Sequence, residues 1–149
     1  MKQTNLQLAF RVMQEIKDVT EDTIERDEII EIMRKCKESD DVHLHDWRFI
    51  SEDSIDDILK DELSSDVYML GCFTAHFIAD MVDLPVDEVE KAQKNESYEL
   101  LGALMLKNID EVVEGYVAYD GYGHHFNPYD GDEQGTTIDG TTWYMFRTN

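Results

Sequence analysis

Basic residues are scarce in this chain of 149 residues, with 13 Lys and Arg against 34 Asp and Glu and a formal net charge of −21. A field of that sign repels nucleic acid and anionic membranes and attracts basic surfaces, so direct DNA or RNA binding is not expected. Cysteine is nearly missing. Cys36 and Cys72 are the two present, each within an apolar helical pattern, which argues against a disulfide framework and predicts reduced, buried thiols. No apolar run approaches the roughly 18 residues that a membrane span needs. The opening Met-Lys-Gln-Thr-Asn lacks the apolar stretch of a secretory signal, so a cytoplasmic protein is expected. There is no Gly-x-Ser-x-Gly elbow and no phosphate loop. The sequence therefore gives no positive support for enzyme activity, and no catalytic residue, metal or cofactor is assigned.

The composition is otherwise that of a folded domain. Hydrophobic residues make up 42%, which rules out a disordered acidic tail, and the length fits a single domain with a sizeable core. The charge is unevenly spread: residues 1–37 sum to −1, 38–66 to −9, 67–107 to −4 and 108–149 to −7.

Helical periodicity dominates residues 1–114. Leu6, Ala9, Phe10, Met13 and Ile16 predict a first amphipathic helix. A second, capped by Thr20 or Thr23, carries Ile29, Ile32, Met33 and Cys36. Val42 to Ile50 reads as a short strand or extended buried segment. Ser51 is placed to cap a third helix with Ile55, Ile58, Leu59 and Leu63. The most apolar stretch, through Val67, Leu70, Phe73, Phe77, Ile78 and Met81, predicts one central helix, stopped by Asp83-Leu84-Pro85, where Pro suits the start of the next. Further helices follow through Val86–Asn95 and Tyr98–Met105, with a last turn through Ile109, Val112 and Val113.

Near residue 115 the pattern changes. Asp120-Gly121, Asp130-Gly131 and Asp139-Gly140 are preferred hairpin-turn pairs, and the segments between them have strand length. The expected fold class is α+β: a bundle of about five to six helices packed with a small antiparallel β-meander at 115–149, in one domain.

Four constellations suggest chemistry. Phe77–Ala92 has the cadence of a helix–turn–helix, but its second helix opens on Asp87, Glu88 and Glu90 where a DNA reader needs donors and cations, so ordinary helix packing is favoured. Tyr119, Asp120, His124, His125, Tyr129 and Asp130 form a polar cluster suited to a ligand or divalent ion. Adjacent His residues on a strand point to opposite faces, however. His43-x-His45 projects two rings to one face but lacks a third ligand. The acids at 130–139 do not match the calcium-loop spacing and read as solvated turns.

The fourth is the acidic segment itself. Asp40, Asp41, Asp46, Glu52, Asp53, Asp56, Asp57, Asp61, Glu62 and Asp66 have almost no neutralising partners in sequence. Like charge packed on one domain costs stability by self-repulsion, and the excess is larger than solubility requires. It suggests a surface that imitates a nucleic-acid polyanion and occupies a basic site on another protein.

Leu70–Asp80, Asp120–Gly131 and the closing Trp143–Asn149 together resemble a pattern in small uncharacterised acidic proteins of bacteriophages and related mobile elements. The resemblance covers the chain from Leu70 onward and brings no reaction with it. It implies action inside an infected bacterium, where small acidic proteins often inhibit host enzymes or defence systems. The leading expectation is a phage-type accessory protein that inhibits a basic, nucleic-acid-handling host protein. The alternatives are a ligand- or metal-binding protein or enzyme using the 119–133 cluster, and a self-assembling or virion component.

Overall fold

The structure is a computed structural model, and it describes residues 34–36, 38–44, 47–138 and 140–148. The expected helix at 6–16, all but the end of the one after Thr20, and His45, Asp46 and Asp139 lie outside the described residues. The fold is α+β, with helices and one four-stranded antiparallel sheet. The chain divides into two compact units: a sheet unit from its two ends (Met1–Ile55 and Tyr122–Asn149) and a helical unit (Asp56–Gly121).

In the sheet unit, β1 (Asp41–Leu44) and β2 (Trp47–Ser51) form a hairpin, and β3 (Gln134–Ile138) and β4 (Thr141–Arg147) form another. The strand order is β1-β2-β4-β3. The sheet is thus not a C-terminal meander: Trp47 pairs with Arg147 and Ser51 with Trp143, joining strands from opposite ends of the chain. Period-two alternation sets the faces. Val42, Trp47, Phe49, Trp143 and Met145 are buried on one, and Ile50 and Phe146 on the other. Gly140 completes the β3–β4 turn at φ 82°, a conformation that glycine adopts without steric cost.

In the helical unit, α1 (Ile55–Ser64) turns Ile55, Leu59 and Leu63 inward. Ser51 does not cap it. It is a fully buried strand residue whose hydroxyl donates to Asp40. The expected central helix is two. Asp66 caps α2 (Val67–Gly71) by accepting from the Met69 amide, and Thr74 caps α3 (Ala75–Val82) by accepting from the Phe77 amide. The two N-caps, eight residues apart, offset the cost of the break, because each satisfies an amide that a helix start leaves open.

Asp83, at φ 55°, ends α3 in the left-handed region, and Pro85 precedes α4 (Val86–Lys94). Then come α5 (Tyr98–Lys107) and α6 (Ile109–Asp120). The sequence expects α6 to stop near 114 and a strand to begin. Instead the stripe Val112, Val113, Tyr116 continues at helical spacing and is buried, and Gly121 (φ 74°) is the helix's C-terminal cap rather than a hairpin residue. A short helix, α7 (Gly123–Phe126), replaces the strand expected over His124–Tyr129.

Packing in the helical unit centres on the crossing of α2 and α5. A Cβ placed on Gly71 would stand 1.9 Å from the Tyr98 carbonyl oxygen, and one on Gly102 would stand 1.7 Å from the Val67 carbonyl oxygen. The two backbones therefore touch reciprocally, four residues apart on each helix. Among the described residues, no helix is long and apolar enough to cross a membrane.

Candidate functional site

The ten acids singled out in residues 40–66 fall into both units. In the sheet unit, Asp41 is engaged by a forked Arg48 guanidinium, with Nε at 2.9 Å and Nη2 at 2.7 Å. His43 Nε2 lies 3.5 Å from the same carboxylate. Such bidentate, charge-assisted pairing fixes geometry, so Asp41 is part of the hairpin rather than a free charge. Asp40 accepts from the Ser51 hydroxyl at 3.1 Å. Glu52 and Asp53 are exposed.

In the helical unit, Asp57 and Asp61 sit one turn apart on the face of α1 opposite Ile55, Leu59 and Leu63. Asp56 is exposed, Glu62 is half-exposed, and Asp66 gives one oxygen to the α2 cap at 3.0 Å. Like charges at this spacing weaken a helix slightly.

Residues 56–121 contain 16 acids and 4 bases, a net of −12, and fifteen of those acids are exposed. Asp80, Asp87, Glu90, Glu99, Glu111 and Glu114 are thus exposed acids of the same unit as Asp57 and Asp61, and of these six only Asp87 and Glu90 stood out in the sequence. Of the four bases, Lys60 pairs with Asp110 at 2.9 Å and Lys91 with Glu88 at 3.7 Å. Asp110, with hydrogen bonding first and charge second, raises the Lys60 pKa.

The polar cluster at 119–133 is organised around a turn. Tyr119 and Asp120 belong to the last turn of α6 in the helical unit, where the Tyr119 ring stands edge-on to Phe77 at 5.9 Å. His124, His125, Tyr129 and Asp130 belong to the sheet unit. The two histidines are successive residues of a helical turn, and the His125 ring packs edge-on against Phe126.

Asn127, 4% exposed, holds this turn. Its amide nitrogen donates to Asp130 Oδ1 at 2.7 Å and to the Asp132 carbonyl at 2.9 Å, and its Oδ1 accepts from the Tyr129 and Asp130 amides. Asp130 Oδ1 also accepts from the Asp132 amide, and Glu133 accepts from the Tyr122 amide. Both carboxylates thereby close backbone. The Arg147 guanidinium lies 4.1 Å from the Tyr129 ring centre, and Arg48 lies 4.8 Å from that of Phe126. Among the described residues, no group of three His, Cys, Asp or Glu side chains is placed to hold a metal ion.

The thiols differ from expectation. Cys72 is exposed, at the C-terminal cap of α2, because the helix ends there instead of carrying it inward. Cys36 is partly buried, and desolvation pushes its thiol up to about 12, far from the reactive range.

A shallow groove of about 300 Å³ on the helical unit is lined by Glu90, Gln93 and Lys94 of α4 and Tyr98 of α5. Of the lining residues, Gln93 is held in place by its amide, which donates to the Gly71 and Phe73 carbonyls at 3.2 and 2.8 Å. Tyr68, 54% exposed, packs edge-on against the Tyr98 ring at 5.2 Å. Partial desolvation raises the Tyr68 hydroxyl pKa, with Cys72, Tyr98 and Glu96 adding to it. Nothing in the sequence signals this groove, since it arises where α4 and α5 meet in the folded unit. No protein-family model, curated protein or solved structure matches the chain.

Proposed function

We propose that the protein is a binding protein that occupies a basic site on a nucleic-acid-handling partner, its acids standing in for phosphates. The observation that carries this reading is the helical unit's net charge of −12 with fifteen exposed carboxylates. A surface of this kind speeds encounter with a positive cleft and rejects nucleic acid itself. The phage-type setting and the inhibition of a host or defence enzyme rest on the sequence resemblance. The rival reading, a ligand site in the 119–133 turn, is weakened because Asp130 and Glu133 are committed to backbone amides.

Immobilised protein exposed to nuclease-treated bacterial lysate tests the proposal. Nucleic-acid-binding proteins are expected to be retained at low salt, where the Debye length is near 10 Å, and released at about 1 M, where it is near 3 Å. The charge-reversed pair Asp57→Lys and Asp61→Lys should reduce the yield. Retention of no such protein, or retention indifferent to salt and to charge reversal, would refute it.

A further inference from the structure

We propose that the α4–α5 groove, lined by Glu90 and Tyr98 with the exposed Tyr68 ring packed against Tyr98, receives an arginine side chain of the basic partner; this rests on the function proposed above and names the partner's contact chemistry. Three features of the groove point to that occupant. Tyr68 is 54% exposed and packs edge-on against Tyr98, so aromatic surface stands open next to the groove that Tyr98 lines. A guanidinium stacks on such a face better than an ammonium does, because it is planar and less strongly hydrated.

Glu90 lines the groove, and Glu96 is close enough to act on the Tyr68 hydroxyl. A carboxylate beside an aromatic face is matched by the fork of an arginine. Lys94 is the opposing charge on the lining, and it sits within a unit of net −12. The groove therefore favours a cation overall while weakening it locally.

The site is also held in place. Gln93 ties α4 to the end of α2, and the two glycine contacts bring Val67 against Gly102 and Gly71 against Tyr98. The helices that carry the two rings are thus held by backbone contact, and the rings pack on each other, which lowers the ordering cost of association. Tyrosine and arginine are the residue types that most often dominate binding energy at interfaces.

The test uses the full chain and two dye-labelled peptides of equal length and charge, one alternating Gly with Arg and the other Gly with Lys. Anisotropy titrations at low salt should show the Arg peptide binding about fivefold more tightly. Tyr68→Ala should abolish that preference, Tyr68→Phe should retain it, and Glu90→Gln should weaken the Arg peptide. Lys94→Ala should tighten both peptides. Leu100→Ala, 62% exposed on the outward face of α5, should change nothing.

Equal binding of the two peptides, unaltered by Tyr68→Ala and Glu90→Gln, would overturn the groove assignment and leave the charge reading standing. Failure of both peptides to bind at low salt would overturn the charge reading and the groove with it. Circular dichroism of each variant separates lost binding from lost folding, and Tyr68→Phe and Glu90→Gln decide the matter if Tyr68→Ala is misfolded.

Discussion

Replacing Gly102 with alanine should destabilise the helical unit, although alanine is the better helix former. The intrinsic gain from Gly to Ala within a helix is about 1 kcal/mol. Against it stands the α2–α5 crossing, where the new methyl would fall 1.7 Å from the Val67 carbonyl oxygen, 2.7 Å from its carbon and 2.9 Å from Val67 Cγ1. The nearest obstacle is backbone, so no rotamer change relieves it, and α2 must move away from α5 by roughly 1.5 Å to restore ordinary contact. A gap of even 0.5–1 Å forfeits about a quarter to a half of each dispersion contact, and Leu70, Leu101 and Met105 are all buried on these two helices. Overpacking with forced backbone shifts costs about 1–3 kcal/mol or somewhat more. The net expectation is a loss of about 1–2 kcal/mol, or roughly 2–8 °C in Tm for a chain of this length. Far-ultraviolet ellipticity is the suitable probe, because both tryptophans, Trp47 and Trp143, lie in the sheet unit. Gly115→Ala is the control. Its methyl would meet the flexible end of Met81 at 2.9 Å, so it should be neutral or stabilising by up to about 1 kcal/mol. A Gly102→Ala protein as stable as the parent, or more so, would refute the close crossing.

Asn127→Ala should cost about 2–3 kcal/mol, because a buried side chain with four hydrogen bonds is lost, taking a partner from the Tyr129 and Asp130 amides and from the Asp132 carbonyl. Urea unfolding followed by tryptophan fluorescence measures it, and a loss under about 0.5 kcal/mol would contradict the turn as described. Stability should also fall at alkaline pH. Burial raises the folded-state pKa of Tyr116 from 10.0 to about 12 and that of Cys36 from 9.0 to about 12. Each group's contribution is therefore complete below its unfolded pKa and is lost as pH climbs through that value towards the folded one. Tyr116, 5% exposed, should add a slope approaching about 1.4 kcal/mol per pH unit between those limits. Tyr116→Phe should flatten that slope; an unchanged pH profile would argue against a buried phenol.

What could be read from the sequence was local. The stripe Ile55, Leu59, Leu63 and the Asp83–Pro85 break come from side-chain periodicity and backbone restriction within a few residues, and both stand as expected. The β3–β4 hairpin also follows from its turn, with Ile138 opposite Thr141. The errors arose where two local signals compete. Asp66 and Thr74 can each lie inside or cap a helix, and only the close approach of Gly71 to Tyr98 favours the break between them. Tyr116 and Tyr119 have strand propensity, which burial of the Val112, Val113, Tyr116 stripe overrides. The β2–β4 pairing joins segments more than ninety residues apart, and neither strand carries any mark of its partner. The groove was hidden for the same reason, since Tyr68 and Tyr98 become neighbours only through α2 and α5.

The two units use their acids differently, and this decides where binding should be sought. In the sheet unit Asp40, Asp41, Asp130 and Glu133 each accept a hydrogen bond from the chain they organise, so neutralising one of them perturbs the fold before it perturbs any partner. In the helical unit, by contrast, Asp57 and Asp61 point away from a complete apolar stripe, and the i,i+4 repulsion relieved by removing their charge offsets what Asp57 gives the first turn of α1 and what both give Lys60. A carboxylate whose removal leaves the helix no less stable is under no structural obligation. Its presence, repeated over most of a unit of net −12, is what the proposed binding role requires. The contrast can be measured: Asp57→Asn with Asp61→Asn should weaken capture of a basic partner while leaving Tm unchanged or raised. Asp41→Asn should lower Tm by breaking the Arg48 fork and leave capture by the helical unit intact.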